Sequence, residues 1–241
     1  MEAINGQEYF SQKEGHCMNH VDQMVSLLNR KIPKEVKIAF TAAIVMGLIA
    51  HFYMFTNKLP NYDDLRTLDG FGTTFKSGRW FLWFLGAAAW HLDFVFSLPW
   101  VNGLTTLLFV ALSAGLMADL LKIKSNIGNV LLGSAMIVFP SWVSSLFFMY
   151  IVPYFAVAVF MIVLGVYLCV NYKWGGICSI ILMACSMGIY QAYLPFAATL
   201  YVVLLLMRLF DDEEVMPVIR SAVYYFINIV LGVGLYFILT K

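Results

Sequence analysis

From Ile38 onward the chain consists mostly of apolar runs long enough to cross hydrocarbon, separated by short polar breaks and one long polar loop. About 20 apolar residues in a helix span the roughly 30 Å core of a bilayer. Inside that core every backbone group needs a partner from the protein itself, which leaves helices and closed barrels. Runs of this length dictate an all-α integral membrane protein. The chain is 61% hydrophobic and only 12% charged, where an ordinary soluble domain carries about 25% charged residues. A formal net charge of +1 excludes a strongly basic nucleic-acid binder, so no nucleic-acid partner is expected.

About seven transmembrane helices are predicted. The first is Ile38 to Phe55, and the second runs from about Trp100 to Leu121, closed by Lys122, Lys124 and a Ser125-Asn126 turn. The third begins at Ile127 and turns either at Pro140-Ser141 or at Val152-Pro153, two choices that leave the turn on the same side. The fourth ends near Val170, and the fifth covers about Gly175 to Tyr190. After a tight Gln191–Pro195 turn the sixth reaches Phe210, and the seventh is Ala222 to Leu239. Residues 1–35 read as a tail with an amphipathic stretch, Met18 to Leu28, and 36–241 as a polytopic membrane domain with one long polar loop, 56–98. In that loop Trp80 to Trp90 is an aromatic apolar run. At about 1.5 Å per residue it covers only half the hydrocarbon, so an interfacial or re-entrant helix is predicted. No cleavable signal is visible, and the first span is expected to remain as a signal anchor.

Cations orient the array. With the N-terminus inside, the cytoplasmic segments carry nine: Arg30, Lys31, Lys34, Lys37, Lys122, Lys124, Lys173, Arg208 and Arg220. The outer segments hold five, and four of them (Lys58, Arg66, Lys76 and Arg79) lie in the 56–98 loop. The positive-inside rule therefore predicts a multi-pass cell-membrane protein with a cytoplasmic tail and an extracytoplasmic loop.

That loop also holds the residues suited to chemistry. Asp63 and Asp64 follow Asn61-Tyr62 just beyond the first span. Adjacent side chains point in different directions, so one carboxylate can face a cleft while the other secures the loop. A carboxylate partly desolvated there suits a general base toward an acceptor hydroxyl; an ordinary solvated turn is the alternative. Arg79, at the edge of the aromatic run in Gly78-Arg79-Trp80, is placed for a phosphate at the membrane surface, where arginine offers two parallel hydrogen bonds. Its alternative is a general headgroup anchor. Arg66, Lys76 and Tyr62 in the loop join it as candidate substrate-binding residues. Gln191, at the Tyr190–Pro195 turn, either meets sugar hydroxyls or caps a helix end.

Other features carry less. His51 and His91 flank the same boundary without a metal-ligand spacing, and neither a metal nor a cofactor is expected. Cys169, Cys178 and Cys185 sit in apolar segments and read as buried thiols. The Asp211–Glu214 run reads as a solvated loop.

The Asn-Tyr-Asp-Asp loop, the Gly-Arg-Trp before an aromatic run, and Gly188-Ile189-Tyr190-Gln191 together resemble the bacterial membrane glucosyltransferases of the Gtr type II kind, associated with serotype conversion of O-antigens. The resemblance covers most of residues 36–240. It implies a GT-C-like fold, a polyprenyl-phosphate sugar donor, and a glycan or glycolipid acceptor. By the same resemblance Asp63 or Asp64 is the candidate catalytic base, Arg79 the phosphate contact and Gln191 a lining residue. Family members are longer, so the resemblance implies a short or truncated member, and a second membrane subunit stays open as a partner. Two other readings stay open. One is a non-catalytic membrane subunit or lipid-binding scaffold. The other, with less support, is a flippase or transporter, which needs ionisable residues well inside the spans.

Overall fold

The computed structural model describes residues 32–57, 59, 77–91, 98–211 and 214–241. Every regular element among them is helical: α1 Lys34–Thr56, α2 Trp80–His91, α3 Pro99–Leu120, α4 Asn126–Val138, α5 Pro140–Leu146, α6 Val152–Asn171, α7 Gly175–Ile189, a 3₁₀ turn Gln191–Tyr193, α8 Leu194–Phe210 and α9 Val215–Leu239. The amphipathic stretch Met18 to Leu28 lies outside the described residues.

Local chemistry sets the boundaries. Pro99, Pro140, Pro153 and Pro195 each stand in the first turn of their helix, where the missing N–H costs nothing. The α3–α4 reversal is a Schellman motif: Lys122 adopts φ 49°, its N–H reaches Asp119 O, and Ile123 N–H reaches Ala118 O. Ser125 then caps α4, accepting from Gly128 N–H at 3.3 Å. Of the two candidate turns of the third span, the one before Val152 is the reversal, and Phe139-Pro140 is a break within the span, which continues through α5.

Six helical segments are long and apolar enough to cross a membrane, with α4 and α5 together making one of them. The element expected as the fifth span, α7, has 15 residues and rises about 22 Å, short of a full hydrocarbon core. The last span starts earlier than expected, at Val215, and takes in Arg220.

The bundle alternates in direction. Val36 meets Gly115 while Phe55 meets Gly103, so α1 and α3 run antiparallel. Leu168 lies against Gly175 and Ser186 Oγ donates to Ala158 O at 2.9 Å, so α6 and α7 do too. At the crossing of α1 and α4, a Cβ on Gly133 would lie 2.2 Å from Ala39 O; only glycine permits that approach. One end of the bundle therefore gathers α2, the C-terminal ends of α1, α5, α7 and α9, and the N-terminal ends of α3, α6 and α8.

Polarity is arranged for a lipid surround. Large apolar side chains such as Ile49, Leu131, Phe226 and Ile238 cover the outside, while Thr106, Ser113, Ser179, Asn228 and His51 are buried. These polar groups are partnered. Ser179 Oγ and Tyr201 Oη both donate to Asn228 Oδ1, at 2.9 and 3.1 Å, and Asn228 Nδ2 donates to Gly176 O at 2.9 Å. At the opposite end from α2, Tyr167 Oη donates to Asp119 at 2.8 Å. Of the three cysteines expected to be buried, Cys169 is, Cys185 is half-buried and Cys178 is exposed on the apolar exterior.

Candidate functional site

The α7–α8 reversal shapes the site. Tyr190 leaves α7 in extended backbone, φ −156° and ψ 119°, and Gln191–Tyr193 forms one 3₁₀ turn before Pro195 starts α8. In a turn of about three residues, Tyr190 and Tyr193 fall on the same side, and their ring centroids stand 5.8 Å apart. Phe155, in the first turn of α6, packs against both at 5.3 and 6.2 Å. These three rings form one wall of a cleft of about 350 Å³.

Arg79 completes that wall. Its guanidinium carbon sits 4.8 Å from the Tyr190 ring centroid, within the range of a cation–π contact. α5 adds Ser144 and Ser145 to the lining. Among the described residues no carboxylate pairs with Arg79. The cleft thus combines one cation, hydroxyls and aromatic faces.

A second groove, of about 410 Å³, adjoins it. Ser145 and Tyr193 line both. Apart from Ser141, the rest of this groove is apolar, from α4, α5, α6 and α8, including Leu132, Phe139, Trp142 and Phe196. A polar, cationic compartment opening beside an apolar one matches an amphiphile with an anionic head.

The backbone beneath Arg79 is held from two directions. Gln191 Nε2 donates to Ser77 O at 3.3 Å and to Tyr236 Oη at 2.8 Å. Tyr236 Oη donates onward to Gly78 O at 3.2 Å. Gly78 has φ 79°, a left-handed conformation that glycine adopts without a Cβ penalty. Of the predicted site residues, Arg79 lines the cleft and Gln191 bonds the backbone of the segment that carries it. Tyr62, Asp63, Asp64, Arg66 and Lys76 lie outside the described residues.

His51 acts at a distance from this cleft. It is 2% exposed, and its Nε2 lies 3.0 Å from Ile137 O. A carbonyl only accepts, so Nε2 carries the proton in that contact. The break at Phe139-Pro140 interrupts the helical ladder, and His51 serves a carbonyl in the last turn of α4. It thereby steadies the joint before α5, which carries Ser144 and Ser145. Among the described residues no group of three His, Cys, Asp or Glu side chains gathers to hold a metal.

Sequence reasoning missed Phe155, Ser144, Ser145 and Tyr236. Aromatics clustered at two expected helix ends, Tyr154-Phe155 and Tyr190–Tyr193, were a usable signal for the first. Nothing local marks Tyr236, since its partner Gly78 is 158 positions away.

The family described as Glucosyl transferase GtrII matches residues 52–241. Comparison with curated proteins and with solved structures gives no match.

Proposed function

The chain belongs to the GtrII glucosyl transferase family, and from that premise we propose that it moves a hexose, glucose first, from a polyprenyl-phosphate donor to a cell-surface glycan. One observation carries this reading: the Arg79 cleft, with its serines and aromatic rings, adjoins an apolar groove through shared Ser145 and Tyr193. The phosphate would meet Arg79, the sugar would lie toward the rings and hydroxyls, and the isoprenoid would follow the groove. Transfer would take place on the outer face. Among the described residues the opposite end carries Lys34, Lys37, Lys122, Lys124, Lys173, Arg208 and Arg220, a bias expected of a cytoplasmic side.

In the proposed reaction the acceptor hydroxyl oxygen attacks the anomeric carbon. The bond between that carbon and the phosphate oxygen breaks, and the phosphate departs with the electron pair. Asp63 or Asp64 takes the hydroxyl proton. Arg79 stabilises charge as it grows on the leaving phosphate, a contact stronger in the transition state than in the bound donor.

The test is glucosyl transfer from polyprenyl-phosphate glucose in membranes carrying the chain at matched levels. Transfer that is lost in Asp63→Asn or Asp64→Asn, and in Arg79→Ala, supports an enzyme with these roles. A donor that binds yet is never consumed would support the lipid-binding scaffold instead.

A further inference from the structure

We propose that Tyr236 and Gln191 are positioning residues that fasten the Ser77–Arg79 segment and so aim Arg79 into the cleft. This rests on the reading of Arg79 as the phosphate contact. The hydrogen bonds form a directed chain. The Gln191 amide has two N–H groups, one directed at Ser77 O and one at Tyr236 Oη. With its oxygen accepting from Gln191, the Tyr236 hydroxyl has its own proton left for Gly78 O. Each donor finds an acceptor and each contact polarises the next.

Glycine is required at the centre of this chain for two reasons. The φ of 79° is costly for any residue with a Cβ. A Cβ there would also lie 2.6 Å from Tyr236 Oη and 3.1 Å from Gln191 Nε2. The clasp closes directly on the backbone, one residue before Arg79.

The same turn of chain holds the side chain as well. Tyr190 supplies the ring beneath the guanidinium, and the next residue, Gln191, supplies the amide beneath the backbone. Tyr236 is 5% exposed and lies in α9, which contributes nothing to the cleft lining. Its hydroxyl therefore acts on the reaction through the groups it bonds, Gly78 O and the Gln191 amide.

Tyr236→Phe removes that hydroxyl and leaves the ring packing. At matched expression it is expected to lower kcat/KM for glucosyl transfer about fivefold, the worth of one hydrogen bond. In an Arg79→Ala background the same change is expected to have almost no effect, because the aimed group is gone. Equal losses in both backgrounds, or no loss in the first, would overturn the proposal. A second readout needs no activity. In a chain whose own cysteines are replaced, Arg79→Cys is labelled with a maleimide in membranes, with and without Tyr236→Phe. Faster labelling without the hydroxyl supports the clasp, and an unchanged rate overturns it. Membranes that transfer no glucose would remove the proposed function while labelling still decides the clasp.

Discussion

Arg79 and Tyr190 are joined face to cation, the guanidinium carbon 4.8 Å from the ring centroid. The ring holds the cation without neutralising it, and among the described residues no carboxylate competes with an anion for it. Arg79→Ala is therefore expected to lower glucosyl transfer about 100- to 1,000-fold, the range for loss of one donor to a developing oxyanion. Arg79→Lys should recover little, because an ammonium neither stacks on the ring nor grips phosphate through two bonds. Initial rates in membranes at matched expression check both.

Gly78 cannot be enlarged without consequence. Gly78→Ala meets an unfavourable backbone conformation and a hydroxyl 2.6 Å from the new methyl. A cost of about 1–2 kcal/mol falls on this segment alone. Transfer is expected to drop by an order of magnitude while the purified chain keeps its helical content by circular dichroism.

His51 offers a test of stability apart from catalysis. His51→Ala leaves Ile137 O buried and unpaired, at a cost of about 1–3 kcal/mol. A lower melting temperature in detergent is expected. His51→Gln, whose amide nitrogen falls near the position of Nε2, should restore most of the loss.

The Ser179–Tyr201–Asn228 network is a second structural tie. Asn228→Ala leaves three polar groups without their common partner, and interhelical bonds of this kind are worth about 0.6–2 kcal/mol each in membrane proteins. Tyr201→Phe removes one donor to an oxygen that Ser179 still serves. Melting in detergent should place Asn228→Ala well below Tyr201→Phe.

Hydropathy and punctuation carried most of the fold. Pro99, Ser125, Pro140, Pro153 and Pro195 act on the residues beside them, so the helix starts they mark were legible without tertiary knowledge, whereas the start of α9 at Val215 was not. The aromatic run at Trp80 to Trp90 marked α2 to within a residue. Arg79 and Gln191 stood out as polar residues at apolar boundaries, and the Gln191 amide bonds the backbone two residues before Arg79. Their relationship was not legible, because it passes through Tyr236, an aromatic residue inside an apolar helix that reads as lipid-facing. His51 read as an interfacial residue for the same kind of reason. Its burial depends on a carbonyl 86 positions away, released by the break at Phe139-Pro140.

The clasp also imposes an order of assembly. Chains emerge N-terminus first, so the Arg79 segment reaches the bilayer long before the tyrosine that secures it, 158 positions later. Until α9 inserts, the segment that carries Arg79 has its Gln191 contact but lacks the Tyr236 one. A ribosome that stalls before Tyr236 would leave a bundle with most of its helices and a loosely held arginine. Insertion of α9 thus completes the hold on the segment that carries Arg79.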